Sequence, residues 1–85
     1  MDEKTQILID YIRQTILRHR AVEITPGTPL VSSGLVDSFS LIDVLSKLEE
    51  ITETRIPSAR VRPMDLNTVE AMFQTAERLG RRKGQ

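Results

Sequence analysis

No cysteine occurs among the 85 residues. That excludes a disulfide framework, a thiolate metal site and redox chemistry carried by the chain itself, and it suits a reducing compartment without requiring one. Histidine occurs once, as His19. Metal ligands would therefore have to be carboxylates, and no D-x-D-x-D-G loop arranges them. Tryptophan is absent and tyrosine occurs once, so no aromatic platform for stacking bases exists. Twelve Lys and Arg against twelve Asp and Glu leave a formal net charge of zero, with no global field to attract nucleic acid. Apolar runs stay as short as "ILI" at 7–9, far below the ~20 residues that span a bilayer. The amino terminus reads "MDEK", acidic where a secretory signal is basic, so we expect a cytoplasmic domain. A chain of this length should bury roughly 60–65% of its unfolded surface, enough for a helical core but not for a deep catalytic cleft.

Three segments have helical spacing. Residues 3–19 place Ile9, Ile12 and Ile16 one turn apart with Leu8, Tyr11 and Leu17 beside them, and His19 falls at the end of that helix. Residues 38–52, "SFSLIDVLSKLEEIT", form the clearest helix, with Asp37 as N-cap. It should stop before "RIP", since Pro57 disfavours helical geometry at Ile56. A last helix is expected from Asn67, where Asn67 and Glu70 make a variant capping box and Val69, Met72, Phe73, Ala76 and Leu79 supply the buried stripe. Gly80 is the expected C-cap.

The connections are unequal. Residues 20–37 are irregular and long for a compact domain unless functional or anchored, and Val22, Ile24, Leu30, Val31, Leu35 and Val36 offer anchors. We read this segment as an ordered loop crossing the bundle. Residues 57–66 form a second loop with one helical turn after Pro63. No stretch alternates strictly enough for a strand. Residues 1–80 make a single all-α domain, and 81–85, "RRKGQ", a basic frayed tail.

At about 100° per residue, Leu41, Val44, Leu45, Leu48 and Ile51 cluster on one side of the second helix. Phe39 and Ile42 fall opposite them, with Asp43, Ser46 and Glu50, and Glu49 at the margin. Single exposed apolar residues are ordinary, and the long loop could cover Phe39. Alternatively, the two apolar residues and the carboxylates form a docking face for a partner with basic and apolar groups. Ser38 sits beside it. "GLVDS" lacks the G-x-S-x-G nucleophile elbow, and Gly27 and Gly34 belong to neither a P-loop nor a dinucleotide fingerprint. Arg55, Arg60 and Arg62, with Arg78, Arg81, Arg82 and Lys83, read as solvated charge balancing the acidic helix. The chain has little means of catalysis, but a serine at a loop–helix junction can be acted on by another enzyme.

"LVSSGLVDSFSLIDVLSKLEE" resembles the modification-site region of phosphopantetheine-dependent carrier proteins. Leu30, Gly34, Leu35, Asp37 and Ser38 occupy that pattern, and Phe39 stands where a leucine is usual. "EEITETRIP" and "DLNTVEAM" extend the resemblance over roughly residues 5–79. It implies a small four-helix carrier bundle of three main helices and one short one. It also implies that Ser38 accepts 4′-phosphopantetheine from coenzyme A on a separate phosphopantetheinyl transferase. The thiol of that arm would hold an acyl or aminoacyl group as a thioester, so the missing cysteine is no obstacle. Asp37 would cap the helix and aid recognition, and Phe39, Ile42, Asp43, Ser46 and Glu50 would meet the transferase, the loading ligase and later enzymes. A free-standing monomeric carrier is expected, not an enzyme and with no nucleic-acid or membrane partner. The neutral charge and Lys47 argue against a general fatty-acid carrier. The alternative is an unmodified helical adaptor that binds a partner through Phe39 and Ile42.

Overall fold

The computed structural model describes residues 2–18 and 22–82. Helix α1 runs Glu3–Tyr11, with the Asp2 carboxylate accepting from the Thr5 N–H at 2.7 Å. The chain then widens into a π-helical turn, Ile12–Ile16, closed by Leu17 N–H donating to the Ile12 carbonyl at 2.8 Å. Five residues of α-helix would set Ile12 and Leu17 about 140° apart. The wider π turn lets both bury, at 0% and 4% exposure. The helix expected over 3–19 is thus helical through Ile16, and His19 lies outside the described residues.

Helix α2 is Ser40–Thr52 and ends at Glu53, whose left-handed φ of 55° stops it three residues before the step that Pro57 would have forced. Helix α3 is Val69–Leu79. All three pack on one another around a core in which Leu8, Ile12, Leu30, Val44, Leu48, Val69 and Met72 have no exposed surface. Between α2 and α3 come two 3₁₀ turns, Ser58–Arg60 and Pro63–Leu66. The second is the turn expected after Pro63; the first carries no apolar period and was not foreseen. Buried Thr75 ties α3 to the Pro63–Leu66 turn by donating from its hydroxyl to the Asp65 carbonyl at 2.9 Å.

The long loop is anchored as expected: Ile24, Leu30 and Val36 are buried, and Val22, Val31 and Leu35 pack partly against the core. Its backbone is tied at Leu30, whose N–H donates to the Asn67 carbonyl at 2.7 Å, and at Val36, whose N–H donates back to Leu30 at 2.9 Å.

Three expectations are corrected. Asn67 does not cap α3, because its φ and ψ of −67° and −31° continue the preceding 3₁₀ turn. Thr68, extended at −130° and 159°, is the N-cap, and its hydroxyl accepts from Ala71 N–H at 2.9 Å. The Asn67–Glu70 box is not formed: Asn67 Oδ1 instead accepts from the amides of Val31 at 2.9 Å and Ser32 at 2.8 Å. Strands also exist. Thr54–Arg55 (β1) pairs antiparallel with Arg81–Arg82 (β2), in register Thr54 with Arg82 and Arg55 with Arg81. Residues 81 and 82 of the expected frayed tail are therefore backbone-paired, while Lys83–Gln85 lie outside the described residues. Gly80 is the C-cap, but in extended geometry with φ −70°. Glycine is needed there for close approach, since a Cβ would collide with the Ala76 carbonyl oxygen and sit 2.9 Å from Thr54 Oγ1.

Candidate functional site

The approach to Ser38 is set by residues 30–37. Gly34 turns at φ 81°, a left-handed value that suits glycine, and its N–H donates to the Val31 carbonyl at 3.1 Å. Val36 then anchors in the core, which leaves Asp37, Ser38 and Phe39 exposed on the way into α2. Helix α2 was expected from residue 38. Ser38 and Phe39 instead form a turn, and the regular helix begins at Ser40. Asp37 acts as the cap nonetheless: its carboxylate accepts from Ser40 N–H at 2.7 Å, and its carbonyl from Leu41 N–H at 3.3 Å. The Ser40 amide holds the Asp37 carboxyl below its ordinary value, so it stays ionised near neutrality.

Ser38 is thus exposed at the positive end of α2, and among the described residues no hydrogen bond ties up its hydroxyl. Beside it a groove of about 180 Å³ runs between α2 and the 58–66 segment. Leu41, Ile42, Leu45, Val61 and Leu66 line it, making one wall apolar from each side.

The wheel of α2 is observed as drawn. Leu41, Val44 and Leu48 are buried, and Leu45 and Ile51 pack partly against the core. Phe39 is 84% exposed and Ile42 65%, so the long loop does not cover Phe39. Asp43, Ser46 and Glu50 are exposed on the same helix. Glu50 pairs with Lys47 at 3.2 Å, and Lys47 also stands 5.4 Å from the Tyr11 ring centroid, which draws Glu50 away from a purely acidic face. Glu49, at the margin of the wheel, accepts from Ile56 N–H at 2.8 Å and fastens the chain after β1.

Sequence reasoning missed Met64, 58% exposed on the turn that forms the groove's other wall. It also missed Val61 and Leu66 as groove residues. The available signal was three apolar residues spaced through an otherwise arginine-rich loop.

An accessible hydroxyl at a helix N-terminus, opening on a narrow apolar groove, fits a covalently attached arm ending in a phosphate. The comparisons with known proteins point the same way. A family model described as "Phosphopantetheine attachment site" matches residues 6–75. The chain belongs to that family. No curated protein and no solved structure matches it. Members of the family carry covalently attached 4′-phosphopantetheine, so this is a phosphopantetheine-bearing carrier protein. Such carriers are typically non-catalytic and work with a phosphopantetheinyl transferase and biosynthetic enzymes. The carrier's chemistry is supplied by the thiol of that arm when it is bound. The protein's own residues have to expose one hydroxyl, hold it still and mark its surroundings.

Proposed function

We propose that Ser38 is the attachment residue, and that the protein shuttles acyl or aminoacyl groups between biosynthetic enzymes as thioesters. The observation that carries this reading is the placement of Ser38: exposed, unbonded among the described residues, one residue past the Asp37 cap and facing the α2 groove. On a separate transferase, Ser38 Oγ loses its proton and bonds to the phosphoryl group at the pantetheine end of coenzyme A, with 3′,5′-adenosine bisphosphate leaving. Asp37 orients the turn and remains anionic. The positive end of α2 offsets the charge that the new phosphodiester brings. Phe39, Ile42, Asp43, Ser46 and Glu50 make the face that partner enzymes read. The protein acts as a cytoplasmic monomer.

Incubation with coenzyme A, magnesium and a broad-specificity transferase, followed by intact-mass measurement, tests the assignment. One phosphopantetheine per chain is expected, absent in Ser38→Ala and retained in Ser40→Ala. Unmodified wild type, or unchanged labelling of Ser38→Ala, defeats it. An adaptor that binds through Phe39 and Ile42 would bind its partner equally well with Ser38→Ala.

A further inference from the structure

At the Ser58–Arg60 turn lies a second, larger recess of about 950 Å³. Arg55, Arg60, Arg78 and Arg81 line it, and Glu49 is the only acid among its lining residues. These arginines come from β1, the Ser58–Arg60 turn, α3 and β2, so only the fold gathers them. In a chain of zero net charge, this is a local excess of three positive charges.

Two features mark the recess as more than solvated charge. Arg55 and Arg81 are direct cross-strand partners in the β1–β2 ladder, on the same face of it. Like charges placed opposite each other there are unfavourable, so the ladder sets two side chains of the same sign side by side at some cost. Among the described residues, only Arg78 of the four has a carboxylate within ion-pair range, Asp65 at 3.6 Å. Glu49 is already engaged by Ile56 N–H.

We infer that this recess docks an acidic protein segment, rich in Asp and Glu, presented by a partner enzyme. Three of the backbone amides around it are already used: Ile56 donates to Glu49, Arg60 to the Pro57 carbonyl at 2.9 Å, and Gly80 to the Ala76 carbonyl at 2.8 Å. The positive groups that line it are side chains from four separate elements, whereas a nest of backbone N–H groups is the usual means of gripping a small phosphate. Arg55, Arg60 and Arg81 present planar guanidinium forks with no ion pair among the described residues, and Arg78 stands beside them paired to Asp65; such forks pair with carboxylates two oxygens at a time. Ser58 lines both this recess and the groove beside Ser38, so the two adjoin at that residue. The identity of the partner as an enzyme serving Ser38 rests on the function proposed above; the acidic chemistry of the segment does not.

The test is a ¹⁵N–¹H titration of the full chain with a twelve-residue peptide of alternating Glu and Gly, with pyrophosphate and phosphatidylglycerol vesicles as separate arms. The peptide should shift the amides of residues 55–60 and 78–82 saturably, weakening as salt rises. Arg55→Gln with Arg81→Gln should weaken it at least about tenfold while leaving the melting temperature unchanged or raised. Transferase labelling is read on the same samples. A labelled protein with no peptide shifts overturns the recess and leaves the carrier reading standing; peptide binding to an unlabelled protein does the reverse. Pyrophosphate or vesicles binding in place of the peptide, a concentration-dependent dimer lost with the two substitutions, or a lowered melting temperature in the double variant would each overturn the docking role.

Discussion

One polar side chain ties the loop that delivers Ser38 across the chain, beside that loop's buried anchors, which makes Asn67→Ala the most informative single change. Asn67 Oδ1 accepts two backbone N–H groups, from Val31 at 2.9 Å and Ser32 at 2.8 Å, thirty-six and thirty-five residues earlier in the chain. Truncation to alanine removes both bonds and leaves the backbone bond from Leu30 N–H to the Asn67 carbonyl in place. A neutral hydrogen bond contributes about 0.5–1.5 kcal/mol net, and more is lost when a buried partner is left unpaired. Ser32 is exposed and its amide rehydrates, which puts it at the low end; Val31 is half-buried and falls at the high end. The sum is about 2 kcal/mol. For a domain of this size each kcal/mol moves the melting temperature by roughly 4–8 °C, so Asn67→Ala should melt about 8–16 °C lower.

Thermal unfolding followed by circular dichroism measures that shift, and native-state hydrogen exchange should show Val31 and Ser32 losing protection while α3 amides keep theirs. Asn67→Asp is the control, because it retains Oδ1 and gives up only the amide donors. It should fall well short of the alanine loss at pH 7. A drop below about 2 °C in Asn67→Ala, or an equal drop in Asn67→Asp, refutes the idea that this acceptor holds the loop.

Three further outcomes follow from the site and its supports. Asp37 is held below its ordinary pKa by the Ser40 amide, so its stabilisation is complete above the unfolded value near 3.8 and is lost as pH falls through the lower folded value. Asp37→Asn keeps a capping oxygen but not the charge; the gap in melting temperature between it and wild type should be present at pH 6 and close below pH 3.8, and a gap that stays constant with pH would contradict this. Phe39→Ala removes a ring that is 84% exposed, so stability by urea titration should change by less than about 0.5 kcal/mol while the transferase's kcat/KM for the protein falls. Gly80→Ala forces a Cβ toward the Ala76 carbonyl and Thr54 Oγ1, and should destabilise by about 1–3 kcal/mol in the same titration, with exchange protection of the β1–β2 amides lost first.

What the sequence disclosed depended on whether the signal was periodic. The two faces of α2 could be drawn from spacing alone, because Leu41, Val44 and Leu48 are buried by the same geometry that leaves Phe39 and Ile42 outside. The Asp37 cap could be read because its partner, Ser40, is three residues away. Non-local partners were hidden. Asn67 and Thr68 are adjacent residues of the two capping types, and only a contact across thirty-six residues decides that Asn67 serves the loop and Thr68 the helix. A ladder of two residues per strand has no alternation to detect. The arginines at 55, 60, 78 and 81 read as scattered surface charge in one dimension, and the far wall of the α2 groove as part of an irregular loop.

Ser38 stands between two separately fastened units. Behind it, Leu30, Val36 and the Asn67 acceptor fix the loop to the core and to the turn before α3; ahead of it, Asp37 fixes the turn to α2. The hydroxyl itself takes no part in either set of bonds among the described residues, so the atoms that position Ser38 are distinct from the oxygen proposed as the attachment point. Changes at Asn67 or Gly80 therefore act on stability first and reach the hydroxyl only through a loosened loop or helix end. Changes at Phe39 or Ile42 alter exposed surface while the fold stays as it was. A protein with little catalytic equipment gains from that division. On the function proposed, several enzymes can read its surface because the core that presents it does not depend on Phe39 or Ile42.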